Sequence, residues 1–233
     1  MFSSVGDPGQ PRRMNHELLM SPCSRAGPDK FGYTLKIPEN TRNSQARAQK
    51  IMKQVALDIK INADQAVVWH EDSLYLLDQR VLPGEEIFVQ CETVTDARNA
   101  IRAMVVRGAP AIGVTAAYAV VLAAREARAA AGRGWKQALT SGLEMLTQAR
   151  PTAINLSWAI GQMKSVISGL EDDDPEAALL EAARQIHRQD IAANRQMGAH
   201  AAELIEQPTS VITHCNAVAL ATGGYGTALG VIR

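Results

Sequence analysis

The sequence carries no excess charge of either sign. Lys+Arg and Asp+Glu both number 24, giving a formal net charge of zero. This gives no support for nucleic-acid binding by bulk electrostatics, although a local basic patch is left open. Cysteine is scarce. Cys23, Cys91 and Cys215 are an odd set without CxxC spacing, which argues against a disulfide framework or a structural zinc site and fits a reducing cytoplasm. No apolar run approaches the ~20 residues of a membrane helix. The nearest, from Ala116 to Ala124, soon meets Arg125, Glu126 and Arg128. The N-terminus has no apolar core behind its charges, so no signal peptide is expected. No internal repeat is evident, and aromatic residues make up only 4%.

What is present is a hydrophobic fraction of 46%, enough for a sizeable core, and abundant alanine, which favours helices. Residues 1–65 read as a poorly ordered extension, rich in Pro, Gly, Ser, Asn and Arg, in which Met14, Met20 and Met52 are alternative starts and residues 45–57 suit a short helix. Residues 66–207 read as one unit. Val67-Val68-Trp69, Leu74-Tyr75-Leu76-Leu77 and Ile87-Phe88-Val89 are short strands separated by turns at Glu71-Asp72 and Pro83-Gly84. Ala97, Ala100, Ile101, Met104 and Val105 then form one face of a helix capped by Thr93 or Thr95 and stopped by Gly108. Pro110 opens the next helix, to about Ala131. Further helices are expected over residues 136–148, 157–170 and 175–205, with an acidic turn at 171–174 and a break at Gln207-Pro208-Thr209. Residues 208–233 read as a buried strand, Val211-Ile212, followed by a glycine-rich turn and an apolar helix. The expected class is α/β: a small strand unit and a helical domain, then the first β-α unit of a Rossmann-like parallel-sheet domain. One such unit cannot cover both faces of a parallel sheet, so the architecture is expected to be incomplete.

Four segments carry chemistry. In Val106-Arg107-Gly108-Ala109-Pro110, an arginine precedes a turn that opens a helix. Helix N-terminal N–H groups attract anions, and a guanidinium matches phosphate, so a phosphate pocket is one reading. An arginine that complements the preceding helix dipole is the other. Arg150-Pro151-Thr152 repeats the theme, with a capped surface turn as its plain alternative. His214-Cys215-Asn216 sits where a strand tip would present a ligand. Cys215 is either an activated thiol or a small buried hydrophobe, and His214 need not be its base. Gly224-Tyr-Gly226-Thr-Ala-Leu-Gly230 has GxGxxxG spacing, not the dinucleotide GxGxxG, and suits close backbone approach to a small ligand better. Elsewhere, His187 and His200 lack metal-ligand spacing, and Asp190 with Asn194 at i, i+4 suits a local hydrogen bond or a shared face toward a site. Trp69, Trp135 and Trp158 read as packing residues.

Together, Leu76-Leu-Asp-Gln-Arg-Val-Leu-Pro-Gly-Glu85, Val106-Arg-Gly-Ala-Pro-Ala-Ile-Gly113, Arg150-Pro-Thr-Ala-Ile-Asn-Leu156 and Thr213-His-Cys-Asn216 with Thr222-Gly-Gly-Tyr-Gly-Thr-Ala-Leu-Gly230 resemble the S-methyl-5-thioribose-1-phosphate isomerases. That family shares a superfamily with regulatory subunits of a translation-initiation exchange factor. The resemblance spans residues 67–233. It implies a helical domain joined to a Rossmann-like domain, a homodimer, and an aldose–ketose isomerisation in methionine salvage without metal or organic cofactor. It implies that Arg107, Gly108, Ala109 and Arg150 bind the sugar phosphate and that Cys215 is catalytic. It also implies that the family's aspartate, an Asn-Lys pair and a Gln lie beyond Arg233, so that the chain is truncated and inactive. Residues 1–65 have no counterpart. Val218 replaces a family glycine, a costly exchange if that position needs positive φ.

Overall fold

The computed structural model describes residues 53–55, 65–171, 173–205 and 210–233. Most of the expected extension, the Gln207-Pro208-Thr209 break and part of the acidic turn lie outside them. Four antiparallel strands form one sheet: β1 (Lys53–Val55), β2 (Val67–His70), β3 (Ser73–Leu77) and β4 (Phe88–Cys91), in the order β1-β4-β3-β2. β1 falls where the sequence suggested helix. It pairs with β4, Gln54 opposite Val89, so the strand unit reaches into the segment read as an extension. β2 and β3 form a tight hairpin, His70 opposite Ser73, whose turn residues Glu71 and Asp72 take positive φ.

Alternation along the strands divides the apolar residues between two faces. Val67, Leu74, Leu76, Val89 and Cys91 join the main core, while Ala66, Tyr75, Leu77 and Phe88 form a second cluster with Leu220 packed against it. Burial pushes the Cys91 thiol strongly upward in pKa, so it behaves as an inert small hydrophobe.

α1 (Val94–Arg102) opens with a capping box: Thr93 accepts from the Asp96 N–H, and Asp96 accepts from the Thr93 N–H. Glu126, from the next helix, accepts from the Val94 N–H at 2.7 Å. The helix ends earlier than the apolar spacing suggested. Met104 turns into the left-handed region at φ 60°, its N–H reaches Ile101 and that of Val105 reaches Ala100. That is a Schellman closure, with methionine where glycine is usual. Val105 and Val106 remain buried, so periodicity ran on after the helix had stopped. Arg107 therefore does not belong to a last helical turn, which removes the dipole reading.

α2 (Ala109–Ala131) is the axis of the molecule. From Ala111 to Ala124 every residue is buried, as expected of a helix apolar all round. α1, α3 (Trp135–Thr147), α4 (Ile154–Gly169) and α5 (Glu176–Ala202) pack around it. Small side chains permit the approach: an added Cβ on Gly142 of α3 would stand 3.1 Å from Ala123 Cβ. Arg125 ties α2 to α5 through a two-pronged pair with Glu176. The structure thus has the α/β class, mostly helical with one small sheet.

Two expectations change. Val211 and Ile212 form no strand, and both are exposed, Ile212 fully. A strand needs a neighbour to satisfy its backbone, and among the described residues no strand pairs with this segment. Trp158 is half exposed, so it is not a core residue, unlike the fully buried Trp135. The indole N–H of Trp135 has no acceptor among the described residues. Trp135→Ala is expected to cost about 3–5 kcal/mol by cavity formation. Trp135→Phe should cost clearly less, because losing an unpaired buried donor offsets part of the lost volume. Urea-unfolding midpoints compare the two, and equal losses would contradict the unpaired donor.

Candidate functional site

The four segments that carry the family resemblance meet around the start of α2 through backbone and glycine contacts. Gly108 caps that helix with φ 96°, and Pro110 follows in its first turn. A Cβ added to Gly108 would lie 2.2 Å from the Ala221 carbonyl oxygen, so Gly108 serves both a positive φ and a backbone-to-backbone contact. One turn on, Gly113 faces Asn155, at the start of α4. The Asp78-Gln79-Arg80 loop closes the third side. The Gln79 N–H donates to the Val105 carbonyl at 3.0 Å, and its side-chain amide donates to the Leu220 carbonyl at 2.8 Å. Arg80 holds both oxygens of the fully buried Asp78 at 2.7 and 2.6 Å, which fixes that loop.

The fourth segment, after Cys215, is a compact chain of turns. Residues Ala219–Ala221 make one 3₁₀ turn, and the Thr222 hydroxyl lies within hydrogen-bonding reach of the Ala219 and Gly224 carbonyls and accepts from the Gly224 N–H. The Thr227 N–H returns to the Ala217 carbonyl at 3.0 Å. Val218 is extended, with φ −79°, so the departure from the family glycine carries no conformational penalty. Gly224 and Gly226 take positive φ and lead into the short helix α6 (Ala228–Ile232), close to α5. The GxGxxxG segment thus shapes a turn against a helix.

Side chains of α2 and α5 grip this loop. The Gly223 carbonyl lies 2.7 Å from His187 Nε2 and can only accept, so Nε2 carries the proton. Nδ1, at 3.2 Å, then accepts from the Tyr118 hydroxyl. The Gly223 N–H donates to Asp190 at 2.7 Å, and Asn194 donates to the same carboxylate oxygen at 3.1 Å. Burial holds His187 below its ordinary pKa, against the opposing pull of the Gly223 carbonyl and the Asp190 charge. Burial raises Asp190, against its hydrogen bond from Gly223, the His187 charge and Asn194. Burial pushes Tyr118 up to about 12; Arg184 and Arg188 pull it down and Glu181 adds to the rise, and the hydroxyl stays neutral.

The residues expected at the site sit on these segments. Arg107 and Ala109 are exposed and flank Gly108, while Arg150 is half-buried in the turn before α4. Among the described residues, no ion pair or side-chain hydrogen bond engages either guanidinium. Cys215 is exposed and holds φ 66°, a left-handed conformation that costs a non-glycine residue about 1–3 kcal/mol. The segments are joined through Gly108, Gly113, Gln79 and Ala221, not through contacts between Arg107, Arg150 and Cys215. Gln79 and Tyr118 were not singled out from the sequence, and His187 was weighed there only for metal-ligand spacing. The readable signal was the spacing of His187, Asp190 and Asn194 at i, i+3 and i+7, one face of a helix. Among the described residues, no group of three or more His, Cys, Asp or Glu could hold a metal ion, and no helix is long and apolar enough to cross a membrane.

A family model described as the initiation factor 2 subunit family matches residues 105–233. Methylthioribose-1-phosphate isomerase of Nitrosococcus oceani is 59% identical over 169 residues, covering 72% of this chain and 49% of the relative. Its counterpart from Thioalkalivibrio sulfidiphilus is 55% identical over 177 residues, covering 76% and 50%. Among solved structures, 5-methylthioribose 1-phosphate isomerase from Pyrococcus horikoshii aligns with a TM-score of 0.67 at 31% identity, covering 76% of this chain and 52% of that one. Translation initiation factor eIF-2B, subunit delta, from A. fulgidus aligns at 0.65 and 37%, covering 72% and 49%. The chain spans about half the length of the curated relatives it matches.

Gly108→Ala must displace Ala221 and strain its own backbone, and it is expected to lose more than about 1 kcal/mol in denaturant titration. An unchanged midpoint would mean that the two backbones do not meet. The grip on Gly223 also predicts a pH dependence. Because folding favours neutral His187, its contribution is present above the ordinary value of 6.5 and is lost as pH falls through the folded value. Asp190 runs the other way: its contribution is present below 3.8 and is lost as pH rises through its elevated folded value. His187→Gln should therefore flatten the decline in stability between neutral and mildly acidic pH, as read from melting temperatures in a pH series. A parallel pH profile in the variant would assign that decline elsewhere.

Proposed function

Because the chain belongs to the initiation factor 2 subunit family, we propose that it forms the sugar-phosphate-binding part of an aldose–ketose isomerase. The reaction is conversion of S-methyl-5-thioribose 1-phosphate to S-methyl-5-thioribulose 1-phosphate, a step of methionine salvage in the cytoplasm, carried out by a homodimer without metal or organic cofactor. The observation that supports this most is the junction at Gly108. There a helix N-terminus, the uncommitted Arg107 and the segment that follows Cys215 adjoin one another. The relatives at 59% and 55% identity bear the name of this isomerase.

In this reading Arg107 and Arg150 hold the phosphate, and the backbone at Gly108 and Ala109 completes its seat. Binding energy at the phosphate orients the carbons that react. The substrate is phosphorylated on its anomeric oxygen and cannot open as free aldoses do. An acid must protonate the ring oxygen, and hydrogen then moves between adjacent carbons, as a proton through an enediol or as a hydride. Cys215 relays that proton or stabilises the transition state. No group of this chain is assigned as that acid. An isomerase of another ribose 1-phosphate derivative would use the same seat.

A non-catalytic regulatory subunit is the second reading. It is favoured by the family's own description and by the likeness to the A. fulgidus protein. A thiol in a His-Cys-Asn setting favours the enzyme.

Calorimetric titration with methylthioribose 1-phosphate separates these readings. Arg107→Ala and Arg150→Ala should each weaken binding about 10-fold or more, the loss of a charge-assisted contact. Bound ligand should slow alkylation of Cys215. No binding by the unaltered chain, together with co-purification of translation-initiation subunits, would sink the isomerase reading.

A further inference from the structure

The Tyr118–His187–Gly223–Asp190–Asn194 network takes no part in the chemistry assigned above, yet most of it is withdrawn from water. It grips one glycine from both sides. His187 takes the Gly223 carbonyl at 2.7 Å, and Asp190 takes the Gly223 N–H at 2.7 Å. The two side chains lie three residues apart on α5, so they project from one face of a rigid element. Each is fixed by a further partner, His187 by the Tyr118 hydroxyl at 3.2 Å and Asp190 by the Asn194 amide at 3.1 Å. The grip also excludes a side chain. A Cβ on Gly223 would stand 2.7 Å from His187 Cδ2 and 3.0 Å from Asp190 Oδ2.

What the gripped peptide controls follows from its neighbours. Thr222 is hydrogen-bonded on both sides of it, to Ala219 and to Gly224. Ala221 rests on Gly108, Leu220 accepts from Gln79, and Thr227 bonds back to Ala217, two residues after Cys215. Displacement of Gly223 would pass to the seat at Gly108 on one side and to the backbone carrying Cys215 on the other.

We propose that His187 and Asp190 are positioning residues, a two-point clamp on the Gly223 peptide that sets the placement of Cys215 relative to the N-terminus of α2. The clamp acts through backbone and touches no substrate. The inference rests on the isomerase reading only for what Cys215 does, because the clamp itself is a property of this chain.

The test compares His187→Leu, which removes the donor, with His187→Gln, whose amide nitrogen can still reach the Gly223 carbonyl, and adds Gly223→Ala, which pushes the clamp apart. Three signals are read on the purified chain: amide exchange at residues 222–227, the alkylation rate of Cys215, and the ¹⁵N resonances of the His187 ring. The unaltered chain should show the tautomer protonated at Nε2. His187→Leu and Gly223→Ala should each speed exchange in that segment by about 10-fold or more while the α2 amides stay protected. They should also change the Cys215 rate several-fold, and His187→Gln should restore both signals most of the way. A structural role alone would not give recovery by the glutamine variant together with an altered thiol rate. Unchanged loop exchange and thiol rate in His187→Leu would overturn the proposal, as would protonation at Nδ1. Should His187→Leu fail to fold, Tyr118→Phe takes its place, since loss of its hydroxyl should perturb the ring resonances and loosen residues 222–227; a loop and ring left unperturbed by it would equally overturn the clamp. Methylthioribose 1-phosphate binding is measured alongside. Failure of the unaltered chain to bind it would sink the isomerase reading and leave the exchange and thiol signals still decisive for the clamp.

Discussion

The close backbone contact between Gly108 and Ala221 is the constraint from which the rest of the site follows. Ala221 can approach only because residue 108 has no Cβ, and α2 can start there only because glycine accepts φ 96°. The same residue thus sets where the most buried helix begins and where the C-terminal loop stops. α2 has no solvent face from Ala111 to Ala124 and is packed by four helices. Its N-terminus cannot shift without disturbing the core, because close-packed interiors transmit displacement instead of absorbing it. The phosphate seat proposed at that point would inherit the rigidity of the whole helical bundle.

Around that point the molecule directs polar groups to backbone more than to other side chains. Gln79 bonds the Val105 and Leu220 backbones, and His187 and Asp190 bond Gly223. Buried backbone groups outside helices and sheets need such partners. The site is accordingly made of turns whose shape is held by long polar side chains on rigid elements. Cys215, in its left-handed conformation, sits in a stretch, residues 211–216, every member of which is exposed.

How much of this was legible in the sequence depends on the range of the forces involved. The helices α2, α3 and α5 were found within a few residues, because their apolar spacing and their Pro and Gly punctuation are local. The Thr93 cap was likewise legible. The end of α1 was not, because Met104 closes it by a Schellman turn while Val105 and Val106 stay buried for tertiary reasons. β1 was missed because three residues carry too little pattern, and its pairing with β4 is a tertiary event. The Val211-Ile212 strand was expected from hydrophobicity alone, which cannot supply a pairing partner. At the site, Arg107, Arg150 and Cys215 were marked by chemistry and by resemblance. His187 was passed over because its role lies in a bond to a backbone carbonyl 36 residues away, and no spacing rule reports that.

The bond from Gln79 to Leu220 joins residues 141 positions apart. The helices around α2 close short loops and can form early, whereas this contact waits on the entropy of a very long one. A newly made chain can therefore own a compact helical core before the segment around Leu220 is fixed against it. Quality control that inspects exposed apolar surface would pass such a molecule, so docking of residues 217–227 onto the core is the later and more demanding sign that this polypeptide has matured.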